Sequence, residues 1–236
     1  MKALIIDDER MARQELRRLL TAHADVEIAG EASNGEEALE LIQRLAPDVL
    51  FLDIQMPGMS GFDLLDRLRE VPDVIFTTAY DQHALQAFEV SALDYLLKPV
   101  APARLAAALQ KVRPQRPLMT PSNGLMQSME QIFLRDGERC WIVKTREIDL
   151  LESEGNYTRV FFRKESPLIA GSLAAFEARL PAAIFFRANR RQILNLNGVE
   201  GTQLAPAGNL VVMLRGGREV ELSRRQSTVL REVLSI

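Results

Sequence analysis

Short apolar runs alternate with amphipathic segments throughout residues 1–113, and this restricts the fold more than any other feature of the 236-residue chain. The runs are ALIID (3–7), DVLFLDI (48–54), DVIFTTA (73–79) and DYLLKP (94–99), with VEIAGEA (26–32) as a weaker second member. In ERMARQELRRLLTAH (9–23), Met11, Leu16, Leu19 and Leu20 are assigned to one helical face, with arginines on the other. In NGEEALELIQRLA (34–46), Leu39, Ile42 and Leu45 recur at helical spacing behind a capping Asn34. SGFDLLDRLRE, QHALQAFEV and APARLAAALQKV (101–112) read as three further helices. Five βα units result. Strands that are apolar on both sides need cover on both sides, so the spacing predicts an α/β fold, a doubly wound five-stranded parallel sheet.

In such a sheet, ligands sit at the carboxyl ends of the strands. Asp7 and Asp8 fall there after the first strand, Asp53 after the third, Thr77 and Thr78 after the fourth, and Lys98 after the fifth. Three carboxylates in one crevice repel one another unless a hard divalent cation sits among them, and Mg²⁺ takes oxygen ligands of this kind. A lysine and a threonine nearby would neutralise and orient an anionic group on one aspartate. The chemistry that fits is phosphoryl transfer onto a carboxylate.

The strings IIDDE (5–9), LFLDIQMPGMSG (50–61), FTTAYD (76–81) and YLLKP (95–99) resemble the four signature blocks of bacterial two-component receiver domains, a flavodoxin-like fold, over residues 1–113. The resemblance implies that Asp53 accepts a phosphoryl group from a sensor histidine kinase. It implies Mg²⁺ ligation by Asp7, Asp8 and Asp53, with Asp7 acting through water, and by the backbone carbonyl of Gln55. Lys98 then pairs with the phosphoryl oxygens and Thr78 hydrogen-bonds to them. Tyr95 is the expected switch aromatic, on a face it shares with Leu93 and Leu96, and a cis peptide is expected before Pro99. A phosphatase that hydrolyses an aspartyl-phosphate would need an acid/base carboxylate two residues beyond the nucleophile, and that position holds Gln55. An enzyme is therefore not expected.

Composition excludes other classes. The opening MKALIIDDER turns acidic too early for the apolar core of a signal peptide, and no run approaches the roughly 18 apolar residues of a membrane span. One cysteine, Cys140, and two histidines, His23 and His83, give neither a disulfide framework nor a Cys/His zinc cluster. A reducing compartment is the expectation, and the resemblance implies the bacterial cytoplasm. The net charge of −3 divides unevenly: residues 1–113 hold 12 Lys/Arg against 19 Asp/Glu, and residues 114–236 hold 17 against 13. An acidic half joined to an arginine-rich half suggests two domains, the second with a polyanionic partner. The join is PQRPLMTPSNG (114–124), and its prolines stop both helix and central strand. We place the linker at 114–128 and the second domain at 129–236.

The second half reads as mainly β. IFLRDGERCWIV (132–143) carries a DG hairpin signal, and EIDLLESEGNYTRVFF (147–162) holds two strands around Glu154, Gly155 and Asn156. Helical pattern returns in SLAAFEARL (172–180) and SRRQSTVLREVL (223–234). DLLESEGNYTRVFF, LPAAIFFRANRRQILNLNGVE and ELSRRQ resemble the LytTR-type DNA-binding domain, with Asn189 where a histidine is common. The resemblance implies contacts to successive major grooves from Asn156, Tyr157, Thr158 and Arg159, from Asn189, Arg190 and Arg191, and from Arg224 and Arg225. The whole then reads as a response regulator whose phosphorylation controls binding to promoter repeats, direct or inverted, as a homodimer. A receiver joined to a protein- or RNA-binding β module is the alternative.

Overall fold

The computed structural model describes residues 1–79, 93–112, 131–137, 139–206 and 208–234. The chain forms two compact units, Met1–Ile142 and Val143–Ile236. The helix expected over QHALQAFEV and the linker at 114–128 lie outside the described residues.

In the first unit, β1 (Lys2–Ile6), β2 (Glu27–Ala32), β3 (Val49–Asp53), β4 (Asp73–Thr78) and β5 (Asp94–Leu97) pair in parallel, in the order β2-β1-β3-β4-β5. Their apolar residues alternate between two buried clusters. Leu4, Ile6, Leu50, Leu52, Val74 and Phe76 meet Ile42 of α2 (Gly35–Leu45) and Phe62 and Leu65 of α3 (Gly61–Arg67). Ala3, Ile5, Val49, Phe51 and Ile75 meet Leu16 and Leu20 of α1 (Arg10–Leu20) and Leu105 and Leu109 of α4 (Pro102–Leu109). The period of two along each strand thus fills two layers of core, as uninterrupted apolar runs require.

Asn34 caps α2, accepting from the Glu37 N–H at 2.9 Å, and Ser60 with Asp63 forms a reciprocal capping box on α3. Met11 departs from its expected place and is 74% exposed. At 3.6 residues per turn it stands about 140° around the helix from Leu16, so it points away from the sheet.

The hairpin β6 (Gln131–Asp136) and β7 (Arg139–Lys144) forms at its DG turn. Residues 131–142 of this hairpin fall in the first unit, within the stretch 129–236 that the sequence pattern assigns to the second domain. Phe133, Cys140 and Ile142 join the cluster around Phe62, Gln131 donates to Asp73 at 3.0 Å, and Arg135 pairs with Asp63 at 2.9 Å.

The second unit is mainly antiparallel. One sheet has the order β10-β9-β8-β12-β11, from β8 (Ile148–Glu154), β9 (Tyr157–Phe162), β10 (Leu168–Ala170), β11 (Phe185–Arg187) and β12 (Gln192–Asn195). The other is β13-β14-β15, from β13 (Val199–Leu204), β14 (Leu210–Leu214) and β15 (Arg218–Glu221). Two helices accompany them, α5 (Leu173–Arg179) and α6 (Arg224–Leu234). Leu150, Phe161 and Leu194 of one sheet and Leu210, Val212 and Val220 of the other share a cluster with Leu230 of α6. The cluster also buries Ala188, which fixes the turn between β11 and β12 against the core.

Candidate functional site

Register carries the expected residues of the first unit to one place. Ile6 pairs with Leu52 and Asp53 with Thr77, so Asp7, Asp53 and Thr77 leave the sheet side by side. Thr78 pairs with Leu97, and the Lys98 N–H donates to the Thr78 carbonyl at 2.8 Å. Lys98 therefore returns to the same edge, and the peptide between it and Pro99 is cis. Its Nζ lies 2.6 Å from Asp53 Oδ2 and 2.8 Å from Asp7 Oδ2. Oxygens of Asp7, Asp8 and Asp53 all lie within 4.8 Å of one another. Asp7 and Asp53 are buried, and Asp8 stands exposed at the mouth.

The electrostatics follow from that crowding. Burial holds the Asp7 carboxyl above its ordinary 3.8, against the hydrogen bond and charge of Lys98. Burial also works against the Lys98 ammonium, but its bonds to Asp53 and Asp7 outweigh this and raise its pKa. Three carboxylates face one ammonium, so the pocket is short of positive charge. An all-oxygen donor set of this span, open on one side through Asp8, suits a hard divalent cation with several waters. Backbone donors complete the frame: Gln55 N–H reaches Asp53 Oδ1 and Glu9 N–H reaches Asp7 Oδ1, both at 3.0 Å. Asp7, Thr77, Lys98 and Pro99 also border a cleft of about 360 Å³ running back along α1.

Sequence reading missed two supports. Arg13 Nη1 donates to the carbonyls of Asp7 at 2.7 Å and Asp8 at 3.2 Å, and its Nε reaches Glu31, which pins the turn that presents both aspartates. Its place one turn into α1 was the available signal. Gly61 is the second: a Cβ there would stand 2.4 Å from the Asp53 carbonyl oxygen.

Thr78 is 1% exposed. Tyr95 is half-buried and stacks on Phe76 at 5.6 Å; Phe76 meets Phe62 edge-on at 5.3 Å, and Phe62 stacks on Phe133 at 6.3 Å. Leu96 does not share the surface with Tyr95, because alternation along β5 turns it into the opposite core, at 1% exposure. The exposed apolar neighbour is Leu97, at 46%.

In the second unit, the expected contact residues divide into presented and occupied side chains. Asn156 and Tyr157 are exposed at the β8–β9 turn, where Gly155 takes a φ of +62°. Thr158, by contrast, is fully buried, and its hydroxyl donates to the Gly171 carbonyl at 2.9 Å, which ties β9 to the end of β10. The Arg159 guanidinium is forked onto Glu154, with Nη2 to Oε2 at 2.8 Å, and reaches the Ser166 carbonyl. That hydrogen bond holds the Glu154 carboxyl below its ordinary value.

Asn189 is likewise engaged within the unit. Its Nδ2 donates to Gln192 Oε1 and to the Glu221 carbonyl, both at 2.9 Å, and its Oδ1 accepts from the Arg191 N–H at 2.8 Å. Both Nδ2 hydrogens and one Oδ1 lone pair are thus spent within the unit. Arg190, Arg191, Arg224 and Arg225 are exposed, and among the described residues no ion pair engages Arg190, Arg224 or Arg225.

Comparison with known proteins covers both units. A family model for the response regulator receiver domain matches residues 3–110, and one for the LytTr DNA-binding domain matches residues 138–235. The Vibrio cholerae "Uncharacterized response regulatory protein" is 37% identical over 99% of this chain and 98% of its own. The "Sensory transduction protein LytT" of Enterococcus faecalis is 34% identical over the full length of both chains. The "Transcriptional regulatory protein BtsR" of Escherichia coli K12 is 35% identical, again over both full lengths.

Proposed function

The chain belongs to the response regulators that join a receiver domain to a LytTr DNA-binding domain, and we propose that phosphorylation of Asp53 controls its binding to promoter DNA. The family is one of DNA-binding transcriptional regulators, not enzymes, and its receiver implies a histidine kinase as partner. No described helix is long and apolar enough to cross a membrane, and we place the reading in the bacterial cytoplasm.

One observation carries the reading: Asp53 ends β3 with one oxygen 2.6 Å from Lys98 Nζ and the other on the Gln55 N–H. Asp53 attacks the phosphorus of a phosphohistidine, the P–N bond breaks, and the ammonium of Lys98 then pairs with the transferred phosphoryl oxygens. Asp7, Asp8, Asp53 and the Gln55 carbonyl would hold Mg²⁺, which when bound would offset the negative charge gathered on those oxygens. Thr78, one residue past the strand partner of Asp53, supplies a hydroxyl to the phosphoryl group, and Tyr95 follows its movement. The face around Tyr95 and Leu97 then favours a symmetric dimer, and two output domains bind repeated half-sites with the gain that linkage gives. Arg190, Arg191, Arg224 and Arg225 supply the guanidinium contacts.

Labelling by acetyl phosphate with Mg²⁺ tests the first step. Asp53→Asn should abolish it while leaving the circular dichroism spectrum unchanged, and chelator should abolish it in the native chain. Undiminished labelling in the variant would sink the assignment of Asp53. Sedimentation and gel shifts on duplex DNA, with and without phosphodonor, test dimerisation and output together.

A further inference from the structure

The two arginine pairs of the second unit sit on separate segments. Arg190 and Arg191 occupy the turn between β11 and β12, and Arg224 and Arg225 open α6. The hydrogen bonds around that turn leave little of it free to move. The Ala188 carbonyl accepts from the Ser223 N–H at 3.0 Å, and the Arg191 carbonyl accepts from the Ser153 N–H at 2.8 Å. The Arg187 guanidinium donates to the carbonyls of Asn189 at 2.7 Å and Arg190 at 2.8 Å, while Glu177 of α5 holds it from behind at 2.7 Å. Ala188 itself is fully buried.

Within this frame one side chain crosses from the turn to the other arginine-bearing segment. Nδ2 of Asn189 donates both to Gln192, inside the turn, and to the Glu221 carbonyl, three residues before Arg224. Its Oδ1 takes the N–H of Arg191. Pairing with adenine would require the same Nδ2 and Oδ1. Since both Nδ2 hydrogens are committed, Asn189 cannot form that pair without giving up a bond that ties the turn to itself or to the Glu221 carbonyl.

We infer that Asn189 is a positioning residue that fixes the spacing between the arginine pair at 190–191 and the pair at 224–225, so that both pairs dock on one duplex in register. The inference rests on the proposed role of those arginines in DNA binding. Its physical basis is the difference between two kinds of contact. A guanidinium meeting a phosphate tolerates displacement and carries no sequence information, whereas a fork on a guanine edge demands fixed geometry. Spacing therefore governs discrimination among sequences more than it governs general affinity.

The test uses the full-length chain and a duplex selected on it from a random pool, with a shuffled duplex as the non-specific probe. Asn189→Ala should lower the ratio of selected to shuffled affinity by about ten- to a hundredfold. Its affinity for the shuffled duplex, and the slope of affinity against salt, should stay as in the native chain, because the arginines remain. Base substitutions in the selected duplex should lose their penalties at the positions read by both arginine pairs. A penalty lost at a single position would mean that Asn189 reads a base, and it overturns the inference.

Asn189→Asp is the second variant. It keeps the acceptor for the Arg191 N–H but loses both donors, so it should lower the same ratio even though its added charge weakens binding to both probes. An unchanged ratio in both variants, or an equal loss on both duplexes in Asn189→Ala, overturns the inference while leaving the DNA reading intact. That reading is checked separately with Arg190→Ala and Arg224→Ala. If no duplex is selected, or if both arginine variants bind as the native chain does, the DNA face lies elsewhere and both ideas fall.

Discussion

Gly61→Ala is the perturbation that most directly interrogates the geometry behind Asp53. The added Cβ would meet the Asp53 carbonyl oxygen at 2.4 Å and Leu52 Cγ at 3.1 Å, where real Cβ contacts essentially never fall below 3.0 Å. The backbone must therefore open by about 0.6 Å, against a strand that β1 and β4 hold from both sides. No flexible side-chain end is available to absorb the shift at the carbonyl. Overpacking of this kind costs about 1–3 kcal/mol, and a reacting group displaced by ~1 Å can lose about a hundredfold in rate. We expect amides of β1 and β3 to exchange with solvent faster by the equivalent of that cost, and acetyl phosphate labelling to slow by about tenfold or more. Gly58→Ala is the control. Gly58 has a φ of +79° with open space around the missing Cβ, so alanine there carries only a backbone penalty of about 1–2 kcal/mol. Its labelling rate should match the native chain. If Gly61→Ala exchanges and labels like the native chain, or if Gly58→Ala slows labelling equally, the close approach does not position Asp53.

Two further predictions follow from titratable groups in the first unit. Burial pushes the Cys140 thiol up to about 11, so iodoacetamide at pH 8 should modify it only at the rate at which the hairpin opens, and urea should abolish the protection; fast alkylation of the folded chain would refute the packing of the hairpin on the Phe62 cluster. Burial opposes ionisation of Asp94, but the Tyr95 N–H, Lys111 and Arg104 outweigh it and hold the carboxyl below its ordinary 3.8. Its contribution to stability is then fully present above pH 3.8 and lost as pH falls through the lower folded value. The difference in urea midpoint between the native chain and Asp94→Asn should hold from pH 6 down to about pH 4 and shrink as pH falls further; a difference that grows as pH falls below 4 would reverse the assigned direction.

The acidic pocket was legible in the sequence because its members lie at the ends of strands that are neighbours in the sheet. Once Asp7, Asp53, Thr78 and Lys98 are placed on parallel strands, the sheet itself supplies their convergence, and no long-range partner has to be guessed. The arginine face was legible only as a set of positions. Whether a side chain there is presented or occupied depends on partners remote in sequence: the Gly171 carbonyl for Thr158, the Glu221 carbonyl for Asn189. No periodicity encodes those pairings. Arg159 is intermediate, since Glu154 lies across a tight hairpin and the pairing Glu154 to Tyr157 brings the two within reach. The boundary of the second domain was obscured for a different reason. On β6 and β7, Ile132, Phe133 and Leu134, and Cys140 through Val143, are all buried, so neither face shows the polar alternation of a half-exposed hairpin. Such a run announces that both faces are covered and is silent about what covers them. Only the contacts of Phe133, Cys140, Ile142 and Gln131 with the Phe62 cluster and Asp73 assign one face to the first unit. A strand pattern thus encodes how much of its surface must be covered, and the identity of the cover lies in residues far away in the chain.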